Sequence, residues 1–278
     1  MERTGSGLAL KRSALAANLA CNFRCRLCGA YAPYYETPQF YQKDRLFRSI
    51  TEYFAVVDRV EKFTITGGEP LLNRSIAEIF SALLHYEERI GSLEIITNGS
   101  LRASEALLTE CRKTKKVAFL IDDYGPELSG NVSTLAKQLE ENKIAYQIRT
   151  YYGEHPYCGG WVDYGDLSRK WETKEQWQAV FDSCIQHKKL DFCLTIVDGK
   201  LFPCSVTRRC MELGIVSEKD SPYVDLLEER LSVEEKQKKI TEIFQSSGFL
   251  ACAYCNGFLA DSKRYPPAEQ LTRPFNAR

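Results

Sequence analysis

The chain has 278 residues, 44% of them hydrophobic and 27% charged, enough to bury a full core in one large domain or two modest ones. Lysine plus arginine equals aspartate plus glutamate at 37 each, so no global field draws it to nucleic acid or to an anionic membrane. No apolar run approaches the roughly 20 residues that span a bilayer, and both nucleic acid and membrane are excluded as expected partners.

Eleven cysteines is an odd number in a chain too long to need disulfide staples. It points to a reducing, cytoplasmic compartment and to metal. Lys11 and Arg12 split the apolar start, which speaks against a lipoprotein signal ending at Cys21.

From the amino terminus, "ALAANLACN" reads as a first strand running into three cysteines. "YQKDRLFRSITEYFAVVD" comes next as an amphipathic helix, then "KFTITGG" as a β-branched strand ending in glycines. "SIAEIFSALLHYEERIG" is a helix with Ser75 placed to cap it and a glycine stop. Strand "SLEIITNG", helix "ASEALLTECRK", strand "KVAFLIDDYG", helix "NVSTLAKQLEENK" and strand "AYQIRTYYG" complete the alternation. A series of about six βα units predicts an α/β fold, a partial (β/α)6 TIM-like barrel over residues 1–165. Chemistry in such folds sits at the carboxyl ends of the strands, where Cys21 to Cys28, Gly67 to Pro70, Asn98, Asp122 and Arg149 all fall.

Beyond residue 165 the alternation stops. Helix "TKEQWQAVFDSC" leads into "DFCLTIVDGKLFPCS", whose Asp-Gly turn between apolar runs predicts a β-hairpin. A charged helix, "SVEEKQKKITEIFQSS", and a "CAYC" pair follow, giving an expected small second domain over 166–278.

Within "CNFRCRLC", Cys21, Cys25 and Cys28 are three and then two residues apart. Iron–sulfur cubanes are usually held by four thiolates. Three would leave one iron open for chemistry, as a catalytic zinc keeps one position open. Zinc, or three unrelated core cysteines, is the alternative.

This spacing resembles the cluster-binding motif of the radical S-adenosylmethionine superfamily. Two downstream motifs agree in order: "TGGEP" (Gly67, Gly68, Glu69, Pro70) is similar to the family's second motif, and "ITNGS" to its third. The resemblance implies that a 4Fe–4S cluster on the triad chelates S-adenosylmethionine and that Leu27 packs on the adenine. It implies too that backbone carbonyls of the GGEP turn receive the ammonium group, that Asn98 meets ribose or carboxylate, and that Arg149 pairs with the carboxylate. Asp122 is a ribose contact or a simple turn former. The chemistry implied is reductive cleavage to a 5'-deoxyadenosyl radical that takes a hydrogen atom from substrate, fed by a reducing donor such as flavodoxin or ferredoxin.

Downstream, "CIQHKKLDFCLTIVDGKLFPC" and "CAYC" resemble the auxiliary-cluster modules called SPASM and twitch. Cys204 comes after the hairpin glycine Gly199, and Cys252 and Cys255 supply the pair. With only one such pair, the shorter twitch form with a second 4Fe–4S cluster is implied, its first ligand being Cys184 or Cys193. A four-cysteine zinc site stays open beside it. Cys111 reads as core. Cys158 and Cys210 are candidate hydrogen-atom donors, with plain free thiols as the default.

A single twitch module on a short chain resembles the dehydrogenases of aminocyclitol biosynthesis, and short relatives epimerise sugars. The aromatic, acidic stretch "RTYYGEHPYCGGWVDYG" suits sugar or cyclitol hydroxyls, with His155, Asp163 and Tyr164 as substrate contacts. Equally, it reads as a connector whose aromatics seal the barrel mouth. A ribosomal-peptide modifier is the runner-up, although only about twenty residues precede Cys21, too few for the usual peptide-binding winged helix. A non-catalytic metal-binding scaffold is the third reading.

Overall fold

The βα alternation becomes a parallel sheet because each strand carries β-branched and aromatic side chains to a face that the next helix covers. A computed structural model describes residues 2–4, 7–189 and 193–272. A short β1 (Glu2–Thr4) pairs antiparallel with β2 (Gly7–Asn18). Then come α1 (Lys43–Val56), β3 (Arg59–Gly67), α2 (Ile76–Leu84), β4 (Ile90–Thr97), α3 (Glu105–Cys111), β5 (Val117–Asp123), α4 (Val132–Glu141) and β6 (Ala145–Thr150). β2 to β6 lie side by side and parallel, with Leu15 level with Ile65, Ile65 with Ile95, and Ile95 with Phe119. Phe54, Phe63, Ile79, Phe80, Leu107 and Leu135 fill the space between this sheet and its helices at 1% exposure or less. Each such side chain stabilises the fold by about 1.5–3 kcal/mol.

The sheet does not stop at residue 165. After α5 (Lys174–Ser183) and α6 (Ile185–Lys188), β7 (Leu194–Val197) pairs parallel with the free side of β2, Ile196 level with Leu15. The expected hairpin forms, with β8 (Lys200–Phe202) antiparallel to β7 across Asp198 and Gly199, both at positive φ. After α7 (Ser205–Glu212), β9 (Val224–Asp225) pairs with β8, and α8 (Val233–Gln245) packs on α1. Ile240 and Ile243 of α8 belong to the same apolar core as α1. The expected boundary at 165/166 therefore divides neither the sheet nor the core. A smaller apolar cluster around Tyr31, Val206, Cys210, Val216, Ala251 and Cys255 underlies the carboxyl-terminal cysteines.

Two local expectations change. Ser75 makes no side-chain cap. Asn73 takes that place, its Oδ1 accepting from the Ser75 N–H (2.9 Å) while its Nδ2 donates to the Ala17 carbonyl (2.7 Å). The helix after it ends at Leu84, and Gly91 lies inside β4. No helix among the described residues is long and apolar enough to cross a membrane.

Glu69, fully buried, joins the ends of β3 and β4. Its carboxylate accepts from the Leu71 N–H (3.0 Å), the Thr97 hydroxyl (2.9 Å) and the Asn98 N–H (2.7 Å). Burial pushes its pKa up to about 7, against these donors; three donors on two oxygens leave the ionised form the better fitted. In Glu69→Gln an amide NH2 must face at least one of these donors. Denaturant unfolding should show a loss of about 1–3 kcal/mol, the cost of an unmatched buried polar group. Unchanged stability would contradict the clamp.

Candidate functional site

β2 ends at Asn18, and the chain must then leave the sheet and form the cysteine loop. Four backbone hydrogen bonds hold that exit. The Leu19 and Ala20 N–H groups both donate to the Gln39 carbonyl (2.8 and 3.1 Å). The Gly68 N–H donates to the Asn18 carbonyl (3.0 Å), and the Glu69 N–H to that of Ala20 (2.9 Å). A Cβ on Gly67 would stand 2.0 Å from the Asn18 carbonyl oxygen, and one on Gly68 2.1 Å from that of Ala20. The glycines are thus required by the chain's own backbone approach, a purpose separate from the one the resemblance implies. Glu69 is turned inward, and Pro70 is buried behind it.

The three thiols lie near enough to feel one another's charge. Burial raises the Cys21 pKa to about 12, with Cys28 adding to it, and raises Cys25 to about 12, with Cys28 and Cys21 adding to it. Cys28 is raised by burial as well. Without metal the triad is held as neutral thiols, so metal binding must release protons. Phe23 N–H donates to Cys21 Sγ (3.4 Å), and Asn98 Nδ2 approaches it at 3.8 Å. Asn98 also donates to Asn22 Oδ1 (3.0 Å), while Asn22 donates to the Ser100 hydroxyl (2.8 Å), tying the loop to the end of β4.

Across the strand ends, Arg149 Nε donates to Asp122 Oδ1 (2.6 Å). Burial pushes Asp122 upward against that ion pair. The carboxylate of this chain that pairs with Arg149 is therefore Asp122, and the two expected cofactor contacts neutralise each other. Aromatic rings continue from there: Tyr124 stacks on Tyr151 (5.1 Å) and meets Phe23 and Trp161 edge-on (6.0 and 5.6 Å), and Tyr157 lies against Tyr151 (5.4 Å). This favours the connector reading of 149–165 for its aromatic residues.

Leu27, Cys28, Tyr31, Asp163, Tyr164 and Arg209 line a cavity of about 420 Å3. His155 is exposed and is not among these lining residues, and Cys158 is exposed at a positive φ of 56°. Cys210 and Cys111 are fully buried in apolar clusters, as core.

The carboxyl-terminal cysteines gather from three elements. Cys184 ends α5, Cys204 caps the start of α7, and Cys252 and Cys255 lie on or just after the 3-10 turn Leu250–Tyr254; all four line one pocket with Tyr164 and Thr207. Cys204 Sγ receives the Thr207 N–H (3.4 Å) and Cys255 Sγ that of Gly257 (3.2 Å). Cys193 is elsewhere, in the field of Arg12 and Glu94. Of the two alternatives, only Cys184 joins the set. Among the described residues no three His, Cys, Asp or Glu side chains meet closely enough for a single metal ion.

Sequence reasoning missed the carboxyl-terminal stretch 265–271. It pairs with the first cysteine loop through a Cys25–Gln270 bridge and places Gln270 Nε2 3.3 Å from Cys25 Sγ. Its irregular backbone carries no periodicity that would have signalled this.

Residues 18–144 match the family model described as the radical SAM superfamily. Among curated proteins, GTP 3',8-cyclase 3 of Mycobacterium bovis is 32% identical over 115 residues, 38% of this chain and 29% of that protein. GTP 3',8-cyclase of Nautilia profundicola is 27% identical over 115 residues, 41% of this chain and 35% of that protein. The match thus spans about a third of these relatives' length. Among solved structures, anSMEcpe with bound AdoMet is 14% identical with a TM-score of 0.52, covering 86% of this chain and 83% of that one. The form with AdoMet and the Kp18Cys peptide is 13% identical with a TM-score of 0.51, covering 95% and 93%. These likenesses show a shared α/β fold. The family implies a 4Fe–4S cluster and S-adenosylmethionine, and this chain carries a radical S-adenosylmethionine superfamily domain over residues 18–144.

Proposed function

We propose that the chain is a two-cluster S-adenosylmethionine-cleaving enzyme that oxidises or epimerises a small sugar-like or cyclitol-like substrate. The observation that carries this is the pair of separate cysteine sets, three thiols on the β2 exit loop and four in one pocket, with Tyr31 between them. Cys21, Cys25 and Cys28 would hold the first cluster, and Cys184, Cys204, Cys252 and Cys255 the second.

The donor sets fit. Three thiolates leave an open iron. At the second set, four cysteines line one pocket, the ligand count that a 4Fe–4S cluster takes. The Tyr31 hydroxyl is a further sign of fit. It is buried, with no hydrogen-bond partner among the described residues, and Cys255 and Cys204 are among the groups that raise its pKa after burial itself. A buried hydroxyl left unmatched costs about 1–3 kcal/mol, a cost that a cluster sulfur accepting its proton would remove.

When bound, reduced cluster and S-adenosylmethionine supply a 5'-deoxyadenosyl radical that takes a hydrogen atom from substrate. The chain's own residues orient and enclose. Asn22, Asn98 and Ser100 fix the triad loop to β4, and the Tyr124, Tyr151 and Trp161 rings keep water from the strand ends. A cavity of about 180 Å3 opens beside Ala30, lined by Thr66, Gln186, Thr195, Cys204, Ser205 and Arg208. Its hydroxyl and amide groups suit a small polyhydroxylated molecule. Most of these residues lie outside 18–144, so the relatives' action on GTP need not carry over.

Anaerobically reconstituted protein, reduced and given S-adenosylmethionine, should form 5'-deoxyadenosine, and Cys25→Ala should abolish it; product at the wild-type rate from Cys25→Ala would sink the assignment. With a deuterated aminocyclitol or sugar, deuterium should appear in the 5'-deoxyadenosine. Transfer only from a peptide would replace the substrate reading. In a chain whose Cys21, Cys25 and Cys28 are alanine, about four irons and four sulfides should remain. Cys193→Ser should keep them and Cys184→Ser should lose them; the reverse would exchange the two ligands.

A further inference from the structure

The stretch from Tyr265 to Leu271 is bound to the first cysteine loop by backbone and side chain together. The Arg26 N–H donates to the Glu269 carbonyl (2.8 Å), and the Leu271 N–H to the Arg24 carbonyl (2.8 Å). At the other end of the stretch, Trp161 and Tyr265 exchange both backbone hydrogen bonds (3.0 and 2.8 Å). Ala268, 2% exposed, packs with Phe23 and Cys25. It does so at a φ of 55°, a left-handed conformation that costs an alanine about 1–2 kcal/mol. Such a conformation persists only where the surroundings fix it.

Gln270 is held in one orientation. Its Oε1 must face a donor, and it accepts from the Arg24 N–H (2.7 Å). The Nε2 amide group then points the other way, giving one hydrogen to the Ala268 carbonyl (2.7 Å) and the other to Cys25 Sγ (3.3 Å). All the polar capacity of this side chain that the loop can reach is used, and the sulfur contact results from the rest.

We propose that residues 265–271 form a strap over the triad loop and that Gln270 is a positioning residue for Cys25, its amide N–H fixing the sulfur and tuning the cluster that the sulfur would hold. This rests on the family-level reading of the triad. An N–H donated to a ligating thiolate draws charge from the iron and favours the more negative, reduced state. Removing it lowers the midpoint potential; a carboxylate in its place lowers it further.

The test is an anaerobic redox titration, monitored by electron paramagnetic resonance, of the cluster signal that changes when S-adenosylmethionine is added. It compares the full chain with Gln270→Leu and Gln270→Glu. Gln270→Leu should leave several-fold to tenfold less reduced cluster at a fixed poise, tenfold being about 59 mV for one electron, and Gln270→Glu less again. If Gln270→Leu fails to fold, the near-isosteric Gln270→Glu carries the comparison. Loss of iron from both variants with circular dichroism unchanged also supports the anchoring of Cys25. Midpoints equal to wild type in both variants overturn the proposal. Absence of any S-adenosylmethionine-responsive signal from wild-type protein is a different result: it removes the family-level reading, and the inference falls with it.

Discussion

The site depends on how tightly β3 is drawn against the exit of β2. Gly67 and Gly68 come so close to Asn18 and Ala20 that no Cβ fits, and two backbone hydrogen bonds close the gap. That contact fixes where Cys21 begins. The buried Glu69 carboxylate passes the constraint to Thr97 and Asn98, so three successive strand ends move as one piece. A cluster-binding loop that must hold sulfurs in fixed relation gains this rigidity from backbone packing, since the thiols themselves make no covalent link to one another when metal is absent.

Much of the barrel half was legible because its code is local. Alternating burial along β4 and the amphipathic patterns of α1 and α4 need no distant information. The triad was legible for the same reason, three thiols lying within eight residues. What escaped is non-local. Nothing in "CLTIV" says that β7 lies parallel to β2, whose paired residues stand 181 positions upstream, rather than in a separate domain. The choice between Cys184 and Cys193 turned on where a helix end and a strand start point after folding. The Ser75 cap failed because Asn73 can reach both the helix and the Ala17 carbonyl, a competition visible only in three dimensions.

The two cysteine sets are neighbours through a short stretch of chain. Tyr31 N–H donates to the Cys28 carbonyl (2.9 Å), while its ring lies in the apolar cluster that holds Cys255. Three residues therefore lead from the last thiol of the first set to a side chain packed in the same apolar cluster as Cys255. Tyr164 lines both the cavity beside Cys28 and the four-cysteine pocket. A barrel mouth closed in this way keeps water from the strand ends, and on the proposed reading it would set the second cluster near the place of substrate oxidation.

The central claim is that this one chain holds two separate iron–sulfur groups. Its most direct measurement is anomalous scattering at the iron edge from crystals grown without oxygen, repeated at the zinc edge. The account predicts two iron peaks, one among Cys21, Cys25 and Cys28 and one among Cys184, Cys204, Cys252 and Cys255. An iron peak at the triad alone, or a zinc peak at the second set, would contradict it.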